Sequence, residues 1–356
     1  MRRTIRYWIA AAVLGGCSLA TSSIASAADW KAEDEAGWKA YKAGKIAEAE
    51  THLKVAEKEA RAFGDQDPRL ATTLDHLAWV LCAENRSNEA VPLAKLALAI
   101  REKTLGENHA DVVASLNTLA SVYDASGKSD LAQPMFERYL AATEKLDGPE
   151  HANVAAALDN LSAVDHILGQ HEKAEALYKR ALAIREKIAG AESVDLAPTL
   201  HNLGILYSDQ KKFAEAEPHL KRAHTIRKKV LGAEHPDVAS SLEALGWMYA
   251  AQEKYAEAEP LLKQAVAIFE VDLGKDHPDV ARCSSELGRV CLMQGHQDEA
   301  EACCKRAVGI YERAAANSSE LATALSDYAA VLRKAGREEE AKKLEERAQS
   351  LKKAAK

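Results

Sequence analysis

The sequence predicts an all-α solenoid of about eight helix pairs, and three observations carry that prediction. Alanine supplies 70 of the 356 residues while aromatic residues supply only 5%, a balance that favours helix over sheet. The chain repeats itself with a period of 42 residues. Within each copy the apolar residues recur at helical spacing, three and four apart. At 47% hydrophobic, with 18 Gly and nine Pro, the chain is too apolar for disorder and too poor in Gly and Pro for a fibrous repeat.

The N-terminal element differs from the rest. Met1–Arg6 holds three arginines and no acid, Tyr7–Ala20 is apolar, and Thr21–Ala28 is small and polar. This order predicts a secretory signal over residues 1–28, with Ala25 and Ala27 at the −3 and −1 positions of a cleavage before Ala28. A second reading competes: Leu14-Gly15-Gly16-Cys17 resembles a lipobox, in which Cys17 would be lipidated and become the new N-terminus. A retained anchor is a third, opposed by the Ser and Thr in the second half of the segment. Either leading reading places the body outside the cytoplasm, periplasmic or secreted, or lipid-anchored at the envelope.

The body follows as repeats. A divergent first copy is expected over residues 29–69, six copies over 70–320, and a last copy with a charged capping helix over 321–356. Two positions set the register. One is always Ala: Ala49, Ala90, Ala132, Ala174, Ala216, Ala258, Ala300 and Ala341. The other, twelve residues earlier, is always small: Gly37, Ala78, Ala120, Ser162, Gly204, Gly246, Gly288 and Ala329. Small residues on both sides of one crossing point let two antiparallel helices approach closely.

Each copy reads as helix, turn, helix. Leu200, Leu203, Gly204 and Tyr207 form one face of a first helix, Asp209–Lys212 a polar turn, and Phe213, Ala216, Leu220 and Ala223 the stripe of a second helix. Gly64, Gly106, Gly148, Gly190, Gly232 and Gly274 follow the second helices, as left-handed C-caps would. Asp111, Asn153, Asp195, Asp237 and Asp279 are expected to cap the next helix. Pro92, Pro134, Pro218 and Pro260 fall in the second turn of the second helix, where each removes one hydrogen bond and adds a slight bend.

These units resemble the tetratricopeptide repeat, in a 42-residue version similar to that of kinesin light chain. The likeness rests on Leu-x-x-Leu-Gly-x-x-Tyr (Leu200, Leu203, Gly204 and Tyr207; Leu242, Leu245, Gly246 and Tyr249), on the fixed Ala, on Ala214–Pro218 and Ala256–Pro260, on Ala97–Lys103 and Ala181–Lys187, and on Glu234–Ala239. It covers about Ala32 to Lys356. The resemblance implies a right-handed α-α superhelix, a TPR solenoid, whose concave groove is lined by first helices and binds peptides or protein segments. It does not carry over motor-cargo adaptation, since no long heptad segment precedes the repeats. In the related family an Asn at the position of Asn160 and Asn202 holds the bound peptide backbone. Thr118, Ala244 and Glu286 interrupt that ladder.

The expected groove residues are Trp79, Asn117, Asn160, His201, Asn202, Trp247, Arg282 and Arg289. An amide both donates and accepts, so it can hold an extended chain without reading its sequence. Trp79 and Trp247 are either anchors for a partner or packing against a neighbouring helix. The groove runs from acidic (Asp75, Asp124, Asp159 and Glu243) to basic (Arg282, Arg289, Arg333 and Lys334), which suits a ligand with an acidic part near the last repeats, unless these are ordinary solvated charges.

Other chemistry is sparse. His109, His151, His235 and His277 recur in inter-repeat loops, too far apart to share a metal, and read as loop caps. Cys82, Cys283, Cys291, Cys303 and Cys304 fit no zinc spacing; Cys283 could face Cys303 or Cys304 for a disulfide, with buried free thiols as the default. No phosphate loop, nucleophile elbow or metalloprotease motif occurs, so neither a cofactor nor a small-molecule substrate is expected and the chain reads as non-catalytic. A net charge of −7 without a basic block argues against nucleic acid, and a membrane is expected only through an N-terminal lipid. The chain thus reads as an exported protein-interaction scaffold. Its rivals are a lipid-anchored assembly factor of an envelope machine, an enzyme whose site no motif reveals, and a self-associating oligomer.

Overall fold

The computed structural model describes residues 24–314 and 318–354, and these form sixteen α-helices and one 3₁₀ turn. Cys17 and the rest of the expected leader up to residue 23 lie outside the described residues. The chain divides into two units, Met1–Ile188 and Ala189–Lys356.

The first unit contains α1 (Ile24–Lys42), α2 (Ile46–Ala62), α3 (Pro68–Ala83), α4 (Ser87–Leu105), α5 (Ala110–Ala125), α6 (Ser129–Asp147), α7 (Ala152–Ile167) and α8 (His171–Ala189). Each helix from α1 to α6 packs on the next, and the first helices of successive pairs also touch, α1 on α3 and α3 on α5. The second unit opens with the 3₁₀ turn Val194–Leu196. It continues through α9 (Ala197–Asp209), α10 (Phe213–Leu231), α11 (Pro236–Ala251), α12 (Tyr255–Leu273), α13 (Pro278–Gln294), α14 (Gln297–Arg313), α15 (Ser318–Lys334) and α16 (Glu338–Ala354). The same order holds there: α9 to α16 pack in sequence, and α9, α11, α13 and α15 form a second row of touching first helices. Within each unit this is the solenoid of helix pairs expected from the 42-residue period. Among the described residues no helix is long and apolar enough to cross a membrane.

The crossing point lies where the register placed it. All eight fixed alanines are fully buried. On the partner helix, a β-carbon added to Gly204 would lie 2.6 Å from the Leu220 side chain, and one on Gly246 would lie 2.8 Å from Leu262. One on Gly288 would meet Cys304 Sγ at 2.5 Å and the Ala300 carbonyl at 3.2 Å. The absent side chain is therefore space that the partner helix fills with a Leu or Cys. Burying a Leu there contributes roughly 1.5–3 kcal/mol, an approach that any β-carbon would block.

The turn inside each pair holds a feature the residue types do not announce. Gly44, Asn85, Gly127, Gly169, Lys211, Glu253, Gly295 and Gly336 all have positive φ. Around Lys211, the Lys212 N–H donates to the Tyr207 carbonyl at 2.9 Å and the Lys211 N–H to the Ser208 carbonyl at 2.9 Å. That pair of bonds is a Schellman motif, which closes the first helix. Its longer bond recurs in every copy, for example Lys45 N–H to Ala40, Arg86 to Leu81 and His296 to Cys291.

Two expectations about the inter-repeat loop change. The glycines after the second helices are not left-handed caps: Gly106, Gly148, Gly232 and Gly274 have φ of 80–91° but ψ of 155–159°. This is the mirror-extended region that essentially only glycine enters, and it turns the chain sharply out of the helix. The cap of the following helix is the histidine two residues before the expected Asp or Asn. His109, His151, His235 and His277 each accept the N–H of Asp111, Asn153, Asp237 and Asp279 on Nδ1, at 3.1–3.2 Å. Asp67 takes the same place before α3 and Ser193 before the 3₁₀ turn that leads into α9. The acids occupy the first turn instead, where a negative charge suits the helix dipole.

Candidate functional site

First helices line the inner row of each unit because their outer faces are consumed by the second helices. In the first unit the amides of that row meet: Asn160 Nδ2 on α7 donates to Asn117 Oδ1 on α5 at 3.2 Å. Both are half-buried. Trp79 on α3 is also half-buried.

The acidic residues expected in this row are largely spent internally. Asp75 is 5% exposed and bonds Arg101 Nη1 at 2.5 Å and the Ser115 hydroxyl at 2.7 Å. Burial raises its carboxyl pKa and the Arg101 charge opposes the rise. Arg101 in turn donates to Ser115 and to the Asp111 carbonyl, so one guanidinium on α4 ties α3 to α5. Asp159 pairs with Arg185 in the same manner. An aromatic pair that the sequence reading passed over completes this end of the unit: Trp38 stacks on His76 with centroids 4.3 Å apart, while His76 Nδ1 lies 3.0 Å from the buried Asp34.

In the second unit the row carries His201 and Asn202 on α9, Trp247 on α11, and Arg282 and Arg289 on α13; His201, Asn202 and Trp247 are half-buried. Asn202 makes no hydrogen bond to any described residue, which leaves a half-buried amide with its donors and acceptor unused. Arg282 pairs with Glu243 and with Asp279 at 3.1 Å. Arg289 pairs with Glu286 at 2.5 Å, Arg333 with Glu345 at 2.8 Å, and Lys334 donates to the Leu292 carbonyl at 2.8 Å. The three arginines of the expected basic stretch are therefore held in local ion pairs, as Asp75 and Asp159 are, while Lys334 bonds a backbone carbonyl. Ser285 on α13 donates to Asp327 on α15 at 2.8 Å; burial raises the Asp327 carboxyl pKa and that bond opposes the rise.

The described cysteines are all free thiols, so no bridge joins Cys283 to Cys303 or Cys304. Cys283 instead donates to the Leu262 carbonyl at 3.6 Å, and Cys304 fills the notch at Gly288.

The tetratricopeptide repeat family model matches residues 88–145, 140–187, 195–270 and 249–313, more than half of the chain. The chain belongs to the tetratricopeptide repeat family. Among solved structures, this TPR protein is similar to nearly identical TPR-like repeats of a Podosopora anserina protein classed with the kinesin light chains. Identity is 29%, with 58% of this chain and 97% of that one covered and a TM-score of 0.51. BtubC (BKLC) from P. vanneervenii shares the fold at 24% identity over 66% of this chain and 90% of that one, with a TM-score of 0.51. A Rap protein complexed with competence and sporulation factor shares it at 15% identity over 94% of this chain and 99% of that one, with a TM-score of 0.58. No curated protein matches the chain in sequence. TPR arrays are protein-interaction scaffolds as a rule.

Proposed function

We propose that this TPR protein is an exported, non-catalytic scaffold that holds an extended peptide or protein segment along its first helices. The observation that carries the reading is Asn202, a half-buried inner-row amide without an internal partner, at the position that Asn160 occupies one copy, or 42 residues, earlier. An amide so placed is costly unless water or a ligand backbone bonds it, and an extended chain supplies both a donor and an acceptor. Export is supported by the charged, apolar and small-residue order of residues 1–28.

Capture from an envelope extract tests the groove. Wild-type protein and an Asn160→Ala/Asn202→Ala variant with an unchanged melting curve serve as baits. The scaffold reading expects specific partners to be depleted with the variant; identical capture by both would refute the role of these amides. The Leu14–Cys17 sequence supports a second reading, a lipid-anchored assembly factor. Mass spectrometry of the mature N-terminus separates the two, as a diacylated Cys17 or as a free Ala28 or Asp29.

A further inference from the structure

The seventh helix pair departs from the others at one recurring place. In each copy, the Schellman turn ending the first helix sets two side chains side by side: the residue whose carbonyl is bonded and the residue five later that donates to it. In the two preceding copies these are Tyr207 with Lys212 and Tyr249 with Lys254, and each Lys Nζ lies 5.9 Å from its ring centroid. A carboxylate from the preceding second helix meets that pair. Glu217 accepts from the Tyr249 hydroxyl at 2.8 Å, Glu301 lies 2.5 Å from Arg337, and Glu50 lies 2.8 Å from Arg86. In the seventh copy the same pair is Cys291 and His296, held by the His296 N–H to Cys291 carbonyl bond at 2.9 Å, and the approaching acid is Glu259. Glu299, in the first turn of α14, completes the group.

We propose that Glu259, Cys291, His296 and Glu299 form a binding site for a divalent transition metal of the zinc class. Their ligand atoms all lie within 4.8 Å of one another and come from α12, α13, the turn before α14, and α14. Thiolate, imidazole and carboxylate are the donor types zinc takes in fours, and rotamer adjustments of about 1 Å would bring them to tetrahedral contact. A second, independent observation points the same way. Cys291 is fully buried, and unlike Cys283 its thiol makes no hydrogen bond among the described residues. It is an unused soft donor directed at two carboxylates and an imidazole.

The surroundings define how the site would load. The Lys263 ammonium bridges Glu259 and Glu299 at 2.6 Å each, so a metal would compete with it for both carboxylates. Burial first, and then the charges of Glu299, Cys303 and Glu259, push the Cys291 thiol up to about 12. On binding, the metal–sulfur bond would form, the S–H proton would leave to solvent, and Lys263 would have to swing outward.

Cobalt(II) titration of the full chain, followed by optical absorption, tests the proposal. One equivalent should produce the thiolate-to-cobalt charge-transfer band, zinc should abolish it, and the zinc-loaded protein should melt at a higher temperature. The exposed His296 can be replaced without touching the core, so His296→Ala should keep the fold and weaken cobalt binding by about tenfold or more. Cys291→Ser should remove the band, Cys303→Ser should keep it, and Lys263→Met should tighten binding. Absence of the band at saturating cobalt, its survival in Cys291→Ser, or unchanged affinity in His296→Ala would each overturn the assignment.

Discussion

Gly204 and Leu220 occupy one space: a β-carbon on the glycine would sit 2.6 Å from the leucine side chain. Gly204→Ala is therefore expected to destabilise the protein by about 1–3 kcal/mol, the usual cost of overpacking, and Gly204→Leu by more. In a double-mutant cycle followed by urea denaturation, Leu220→Ala should recover part of the Gly204→Ala loss, because the two changes share one cavity. Additive effects would show that the helices do not meet at that point.

Lys211 and Glu253 hold φ of 61° and 60° at the turn where five other copies carry glycine. A left-handed residue with a β-carbon costs about 1–2 kcal/mol, of which glycine returns part through its greater unfolded-state entropy. Lys211→Gly and Glu253→Gly should each raise stability by about 0.5–1 kcal/mol, read as a higher denaturation midpoint. Gly127→Ala, at φ 70°, should lower it.

Removing a helix cap gives a second local test. His235→Ala deprives the Asp237 N–H of its acceptor and should cost about 1 kcal/mol, whereas His235→Asp should keep the cap. An equal loss in both variants would mean that the imidazole does something other than cap.

Asp75 and Arg101 are 5% and 6% exposed, so breaking their pair strands a charge. Asp75→Ala should cost about 3–5 kcal/mol in chemical denaturation, and replacing both by Leu and Met should recover most of that loss. The comparison separates the pair's stabilising worth from the penalty of a lone buried guanidinium.

The His224 imidazole is held below its ordinary pKa, first by burial and then by Lys228 and Arg227. The fold favours the neutral ring while the unfolded chain binds the proton, so this contribution is present above the ordinary imidazole pKa and is lost as pH falls. The drop in melting temperature between about pH 7 and pH 5 should be smaller in His224→Gln than in wild type.

The helix pairs and their contact points were legible because repetition exposes position: eight alanines in register have one packing explanation, and all eight are buried. The caps were legible only in part: the recurring histidines read as loop caps, but His235 and Asp237 recur together and only Nδ1 geometry tells which one caps the helix. The left-handed turn was hidden because Lys211 and Glu253 are residue types that normally avoid it. In the inner row, Asp75, Asp159 and Glu243 read as groove charge because their arginine partners lie 26, 26 and 39 residues away. The recurrence of Arg101, Arg185 and Arg227 at multiples of 42 was the available signal for that network. The Asn117–Asn160 contact joins residues one copy apart, and only the helix stacking shows it.

The central proposal is that partners lie along the first helices, and site-specific photo-crosslinking in the source cells tests it most directly. A crosslinking residue at Asn202, on α9, is compared with one at the exposed Glu215, on α10. Discrete adducts from position 202 and none from position 215 are the predicted result. Adducts from position 215 alone, or none from either in cells that contain the protein, would contradict it.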